Sequence, residues 1–363
     1  MTVEKPLRVG IAGYGVVGER RRIYIDRHPK LETVAVCDTK FANSGQFDDG
    51  VHFFKDYEQL LEAPLDILFV SLPNYVASDV TIAGLKKGLH VFCEKPPGRD
   101  VEDIEKVIKF EKTVPGLRLK YGFNHRYHDS VREALKIINS KELGQVTFVR
   151  GIYGKSRVVP LSSNSSNIDS ACDFNGWRAE RKYAGGGILL DQGIHMLDLM
   201  RVFCGDFIEV KSYISNDYWS HDVEDNAFAL MRDKHNRVAM LHSSATQWHH
   251  KFSLEVGLTE GILELQGILS GSKSYGEETM TVISADPDHD FGRPVEKRYT
   301  YNYDPSWDRE VELFYSAIKQ NESISDVGIE DAYETMKLVY EIYYADHKWR
   351  KTYNIKKPLR INE

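Results

Sequence analysis

Three stretches of the chain hold residues whose types and spacing suit chemistry. In Gly185-Gly186-Gly187-Ile188-Leu189-Leu190-Asp191-Gln192-Gly193-Ile194-His195, Asp191 and His195 lie four residues apart on a predicted helix, a spacing that puts both on one face. Gly193 between them removes a side chain, as a closely approaching ligand would require. An imidazole titrates near neutrality, so His195 beside a carboxylate is suited to give or take a proton. The second stretch, Val91-Phe92-Cys93-Glu94-Lys95-Pro96-Pro97, ends a predicted strand on an ion pair and two prolines, where Lys95 could polarise an oxygen. Each has a plainer reading taken alone: His195 as a satisfied buried histidine, Lys95 as the partner of Glu94.

The third stretch, Gly13-Tyr14-Gly15-Val16-Val17-Gly18, follows an apolar run at 7–12 and opens a helical segment. In that setting the glycine spacing reads as a dinucleotide turn. Gly13 makes the tight turn, Gly15 lets the backbone approach a pyrophosphate, and Gly18 permits close packing of helix on strand. The helix N-terminus supplies amide donors to the phosphates. Asp38, at the end of the second apolar run and followed by Thr39, sits where an acid accepts from the adenosine ribose hydroxyls. An acid there repels a 2′-phosphate, so the expected cofactor is NAD rather than NADP. Lys40 is close enough to weaken that preference.

These residues need elements to hold them. From Leu7 to about Phe123 short apolar runs alternate with amphipathic ones: strands at 7–12, 31–37, 66–72, 90–93 and 117–123, and helices at 19–28, 57–62, 77–87 and 101–113. That alternation predicts a parallel sheet covered by helices on both faces. A helix at 131–140 and a strand at 146–153 follow, then a Ser/Asn-rich stretch at 161–170 that reads as a mobile lid or, more simply, a surface excursion. A helix is expected at 187–203. Strands are expected at 210–215, 226–231, 238–244, 252–257, 261–265 and 279–284, in an open, largely antiparallel sheet, before helices at 308–319 and 330–348. At 363 residues two domains are expected, divided as 1–124 and 125–363. The fold class is therefore α/β: an N-terminal doubly wound parallel sheet of Rossmann type, then an α/β domain with a large, mostly antiparallel open sheet.

A net charge of -7 speaks against a nucleic-acid or polyanion partner. No apolar run approaches the roughly 20 residues that span a bilayer, so no membrane partner is expected. The four cysteines (Cys37, Cys93, Cys172, Cys204) form no CxxC pair or metal-ligand cluster, so no metal is expected. Scattered thiols and a charged N-terminal stretch suit a cytoplasmic protein.

The motifs together resemble the glucose–fructose oxidoreductase / inositol dehydrogenase (Gfo/Idh/MocA) family. The resemblance rests on the glycine turn, Ser71-Leu72-Pro73-Asn74, Glu94-Lys95-Pro96, Gly122-Phe123-Asn124-His125-Arg126-Tyr127, Trp177-Arg178, and the glycine run leading to Asp191, Gly193 and His195. After residue 205 only the general texture is similar. The resemblance implies that Lys95 hydrogen-bonds the reacting hydroxyl or carbonyl. It implies that His195 accepts the proton in oxidation and donates it in reduction, with Asp191 orienting the substrate or tuning the pair. Pro73, Asn74, Glu94 and Asn124 are implied along the nicotinamide half of the cofactor, Leu72 and Lys95 are further cofactor-binding candidates, and Trp177 and Arg178 are implied near cofactor or substrate. Arg126 and Tyr153 are carried as substrate-binding candidates, and an open sheet face implies a homodimer or homotetramer. One departure is Ala77, where many relatives carry a histidine.

The expected activity is alcohol–ketone oxidoreduction on a sugar or sugar derivative, a nucleotide sugar included. Arg178, Arg181 and Lys182, with Lys155 and Arg157, could hold a diphosphate; they read equally as a solvated basic loop. Tyr153, Tyr183, Trp219 and Trp248 could stack on a sugar ring. Two rival readings stand beside this one: an NAD-dependent glycoside hydrolase of the same family, and a dinucleotide-binding regulator without chemistry.

Overall fold

Buried apolar runs and the helices between them build the first sheet. A computed structural model describes residues 5–156, 176–270, 274–286, 293–324 and 326–358, so Arg157, Cys172 and the Ser/Asn-rich stretch at 161–170 lie outside the described residues. The strands are β1 (Leu7–Ala12), β2 (Leu31–Cys37), β3 (Gly45–Gln46), β4 (His52–Phe54), β5 (Ile67–Val70), β6 (His90–Glu94) and β7 (Leu119–Gly122). Helices α1 (Val16–Arg27), α2 (Tyr57–Leu60), α3 (Asn74–Lys86) and α4 (Val101–Glu111) connect them. The order is β3-β4-β2-β1-β5-β6-β7, parallel throughout except for the β3–β4 pair. The chain runs outward from β1 in both directions, so the glycine turn after β1 sits at the switch point where doubly wound sheets bind ligands. All four residues of β5 are buried, which is why its sequence reads as a continuous apolar run.

The second sheet is made by β8 (Val146–Ser156), β9 (Phe207–Ser215), β10 (Asn226–Asp233), β11 (Val238–Gln247), β12 (Lys251–Leu258), β13 (Gly261–Gln266), β14 (Glu278–Ala285) and β15 (Pro294–Tyr301). Its order is β15-β14-β13-β12-β8-β11-β10-β9, and every pair is antiparallel except β8 with β11. Strict alternation in β10 buries Ala227, Ala229 and Met231 and leaves Phe228 and Leu230 exposed. The remaining helices are α5 (Asp129–Ser140), α6 (Arg181–Ala184), α7 (Ile194–Cys204), α8 (Ser306–Gln320), α9 (Ile329–Ala345) and α10 (His347–Tyr353).

The chain divides into two compact units that are not successive halves. One holds Met1–Asn124, Lys182–Gly185 and Trp307–Tyr333; the other holds His125–Arg181, Gly186–Ser306 and Glu334–Glu363. A single cut after residue 124 therefore misses the later segments of the first unit. Val311 and Phe314 of α8 are buried in its core with Val9, Ile11, Phe69 and Phe92, and Phe314 meets the Phe69 and Phe92 rings edge-on. Three strands were not expected. β3 and β4 are too short to show a period, and β15 is a mostly exposed edge strand of sequence PVEKRYTY. The expected helix at 330–348 is broken, because the Asp346 carboxylate accepts from Trp349 N and caps a new helix. Among the described residues no helix is long and apolar enough to cross a membrane.

Candidate active site

In the first unit the three glycines are each required by their surroundings. Gly13 has a φ of +89°, and a Cβ there would lie 2.3 Å from the Ser71 carbonyl oxygen. A Cβ on Gly18 would lie 1.9 Å from Gly13 O. Around Gly15 nothing comes within 4 Å of an added Cβ, so the turn is open where a phosphate must approach. Gly15 is also the N-cap of α1 and offers no side-chain cap, which leaves the first helical amides for an anion. This cradle fits a dinucleotide.

Asp38 is fixed by two backbone donors: Tyr14 N to Oδ2 at 2.8 Å and Lys40 N to Oδ1 at 2.9 Å. Val16 and Val17 open α1 and Thr39 follows β2, with partly or fully exposed side chains, and Leu72 and Pro73 follow β5 half-buried. Asn74 Nδ2 donates to Ala184 O at 2.7 Å, tying the start of α3 to the residues before the glycine run. Ala77 is buried in α3. Asn124 and Lys95 are both half-buried, Lys95 directly after β6.

Beside Lys95, Glu94 accepts from Arg21 Nε at 2.5 Å, and Arg21 Nη2 donates to Glu310 at 2.6 Å. Arg21 is fully buried, its guanidinium 4.4 Å from the Phe92 ring centroid and 4.1 Å from that of Trp307. Burial pushes the Glu310 carboxyl up to about 7, against the pull of Arg21. Sequence reasoning missed this triad, because Glu19-Arg20-Arg21-Arg22 reads as a solvated helix face.

In the second unit His195 is the second residue of α7 and is buried. Its ring lies parallel to that of His125, with centroids 3.8 Å apart and planes 13° apart. His125 Nε2 and the Tyr153 hydroxyl are hydrogen-bonded at 3.0 Å. Burial raises the Tyr153 hydroxyl well above the usual tyrosine range, partly offset by a hydrogen bond with Tyr275. Asp191 Oδ2 accepts from Lys155 Nζ and from Gln192 Nε2, both at 3.1 Å. His125 and Lys155 were not expected as neighbours of His195 and Asp191; they arrive from the segment 124–127 and from β8, which spacing within one helix cannot show.

Three expectations about this unit change. Residues Leu189–Gly193 form a π turn before α7, so Asp191 and His195 are not related by α-helical spacing. Gly193 makes room for Ser243 of β11 rather than for a ligand: a Cβ would lie 2.7 Å from Ser243 Oγ. Arg126 is turned inward, donating from Nε and Nη2 to Asp198 at 2.7 and 2.6 Å, both residues buried, which gives it a role in the frame of the unit.

The glycine run itself is clasped by Glu224. Its carboxylate accepts from Gly187 N, Leu189 N and the Tyr343 hydroxyl at 2.7, 2.9 and 2.7 Å. Burial raises the Glu224 carboxyl above the usual range, opposed by those donors. The candidate diphosphate cations have other partners. Lys155 pairs with Asp191, Arg181 lies against the Tyr343, Trp349 and Tyr353 rings, and Arg178 covers its neighbour Trp177. In the first unit Lys182 covers Tyr183. Trp219 Nε1 donates to Ala245 O, and Trp248 is exposed.

Residues 7–120 match the family model described as an oxidoreductase family with an NAD-binding Rossmann fold, and residues 131–264 match the GFO/IDH/MocA C-terminal domain. The chain belongs to the Gfo/Idh/MocA family. It is an oxidoreductase, and several members it resembles are named as dehydrogenases or reductases. D-glucoside 3-dehydrogenase of Escherichia coli (strain K12) is 27% identical over 271 residues, 66% of this chain and 70% of that protein. Levoglucosan dehydrogenase of Pseudarthrobacter phenanthrenivorans is 26% identical, but the match covers 54% of this chain and 45% of the relative. Inositol 2-dehydrogenase of Leifsonia xyli subsp. xyli is 22% identical across 92% of this chain and 91% of the relative.

Solved Gfo/Idh/MocA folds agree over nearly the whole length. Levoglucosan dehydrogenase in complex with NADH and levoglucosan superposes with a TM-score of 0.78 at 20% identity, covering 95% of this chain and 98% of that one. A 3-ketoreductase from Actinomadura kijaniata in complex with NADP and TDP-benzene gives 0.73 at 18% identity, covering 93% and 97%. One of these neighbours holds NADH and the other NADP, so the fold does not select between them.

Proposed function

We propose that this chain is an NAD-dependent dehydrogenase that interconverts a secondary alcohol and a ketone on a sugar or simple glycoside. One observation carries the reading: a chain with an open dinucleotide cradle and an anchored ribose acid also retains Lys95, Asp191 and His195 in the family's order. A pure dinucleotide sensor has no need of that proton-transfer set.

When bound, the nicotinamide supplies the hydride acceptor or donor. The turn from Gly13 to Gly18, with Asp38 and Thr39, would hold the adenosine and pyrophosphate half. Leu72, Pro73, Asn74, Glu94, Asn124, Trp177 and Arg178 would border the other half. In oxidation His195 takes the hydroxyl proton while Lys95 donates to the oxygen and stabilises its developing charge. Asp191, steadied by Lys155 and Gln192, accepts from neighbouring substrate hydroxyls. The partners already found for Lys155 and Arg181 favour a substrate without a diphosphate.

The test is a panel of free sugars, polyols, glycosides and nucleotide sugars incubated with NAD. Net NADH formation with a member of the panel supports the proposal. Hydrolysis of a glycoside with no net NADH supports the glycosidase instead.

A homodimer or homotetramer is the proposed assembly. On the second sheet Tyr213, Phe228, Leu230 and Met240 are exposed on neighbouring strands, Phe228 opposite Tyr213 and Leu230 opposite Met240. Such a contiguous apolar face is typically covered by a partner. Light scattering is expected to give a multiple of the 41.6 kDa chain mass, and a monomer would refute it.

A further inference from the structure

The edge of the first unit that carries Asp38 also carries two cations, and a cation beside a ribose acid is what a 2′-phosphate would use. Lys40 is two residues beyond Asp38, and its own amide donates to that carboxylate. Its ammonium points elsewhere. Lys40 Nζ donates to Tyr14 O at 2.5 Å and to Glu19 Oε1 at 2.7 Å, and lies 5.3 and 5.7 Å from the Tyr14 and Phe41 ring centroids. The other cation, Arg22, is engaged by Asp26, Asp49 and the Tyr14 hydroxyl.

We infer that Glu19 is a cofactor-specificity residue, holding Lys40 on the glycine turn and so withholding it from a 2′-phosphate. The inference rests on the proposed preference for NAD and extends it from Asp38 to a residue in the first turn of α1. Glu19 is well placed to act this way. Its amide donates to Gly15 O at 2.8 Å, so its backbone is fixed on the turn itself. Tyr14, whose carbonyl is the second anchor of Lys40, is fixed in turn by its backbone N–H, which donates to Asp38 Oδ2, and by packing against Phe41 and Phe47. The Lys40 ammonium thus pairs with Glu19, while Asp38 accepts only from backbone amides. Remove the Glu19 charge, as glutamine does, and Lys40 keeps only neutral oxygen acceptors and two ring faces as partners. Its flexible stem then lets the ammonium reach an anion beside Asp38. Both side chains of the pair are about half exposed, at 47% and 52%, so the effect is moderate and sensitive to salt.

The test is titration of NADH and NADPH against intrinsic fluorescence for wild type, Glu19→Gln, and the double variant Glu19→Gln/Lys40→Met, all as full chains at low salt. The quantity read is the ratio of the NADPH to the NADH dissociation constant. Glu19→Gln is expected to lower that ratio about fivefold, the scale of one partly exposed ion pair. The added Lys40→Met is expected to restore the wild-type ratio or exceed it. A wild type that prefers NADH with a Glu19→Gln ratio within twofold of it overturns the inference and leaves the NAD reading standing. A ratio that falls in Glu19→Gln but stays low in the double variant overturns the role of Lys40. A wild type that binds NADPH more tightly overturns the NAD reading and the inference together.

Discussion

Replacing His195 with alanine is expected to slow turnover of whichever sugar the wild type oxidises by about 10²–10⁴-fold, the usual share of a positioned acid–base group. The loss should appear in kcat rather than in the NADH dissociation constant, because the glycine turn and Asp38 belong to the other compact unit. Lys95→Ala is expected to cost a comparable factor, through lost stabilisation of charge on the reacting oxygen. Stopped-flow measurement of NADH formation checks both variants. If either retains turnover within about threefold of wild type, that residue does not have the role proposed for it.

The second large effect is on stability. Arg21→Met is expected to destabilise the first unit by about 3–5 kcal/mol, because it strands two carboxylates around a buried site that the guanidinium now neutralises. Glu310 is wholly buried and Glu94 nearly so, and a methionine fills the space between Phe92 and Trp307 without replacing the charge. The deficit should depend on pH. An acid whose folded pKa is raised makes the folded state bind the extra proton, so its share of stability grows as pH falls through that pKa. For Glu310, raised from 4.5 to about 7, the wild type gains this share between about 7 and 4.5. Without Arg21 the carboxyl rises further, so the deficit should shrink as the pH is lowered. Urea melts of both proteins at pH 8 and pH 6 measure it, and a deficit below about 1 kcal/mol at pH 8 would show that the triad is not holding the unit.

The legibility of the chain follows what each signal depends on. β1 and β2 could be placed residue for residue, because their largely buried residues make short apolar runs that Arg8, Glu32 and Thr33 interrupt without hiding. The glycine turn was legible for a similar reason: its residues are required by local backbone geometry, as the 1.9 Å clash at Gly18 shows. β15 was not, because an exposed edge strand is under no pressure to be apolar, and four of its residues, Glu296, Lys297, Arg298 and Tyr299, are charged or aromatic on open surface. The π turn was hidden, since Leu189–Gly193 keeps an apolar pattern that an α-helix fits as well.

Tertiary partners were the other blind spot. Arg21 looks like any residue of a charged helix until Glu310, 289 positions later, is folded onto it. His125 sits in a stretch that was noticed, but its stacking on His195 depends on bringing 124–127 beside the start of α7. Glu224 lies in a run of acids that gives no hint of its three donors, and Gly193 was credited to a ligand when Ser243 requires it. Residues that act through local geometry could be found from the sequence; those that act through a distant partner could not.

The most direct measurement of the proposed chemistry follows the hydrogen itself. A sugar that the panel shows to be turned over is synthesised with deuterium on the carbon whose hydroxyl becomes the ketone, and NADH is recovered after one turnover. Direct hydride transfer predicts that each NADH carries one deuterium and that the sugar is recovered as its keto form. Deuterium-free NADH, or deuterium washed into water while the sugar is merely hydrolysed, would contradict it.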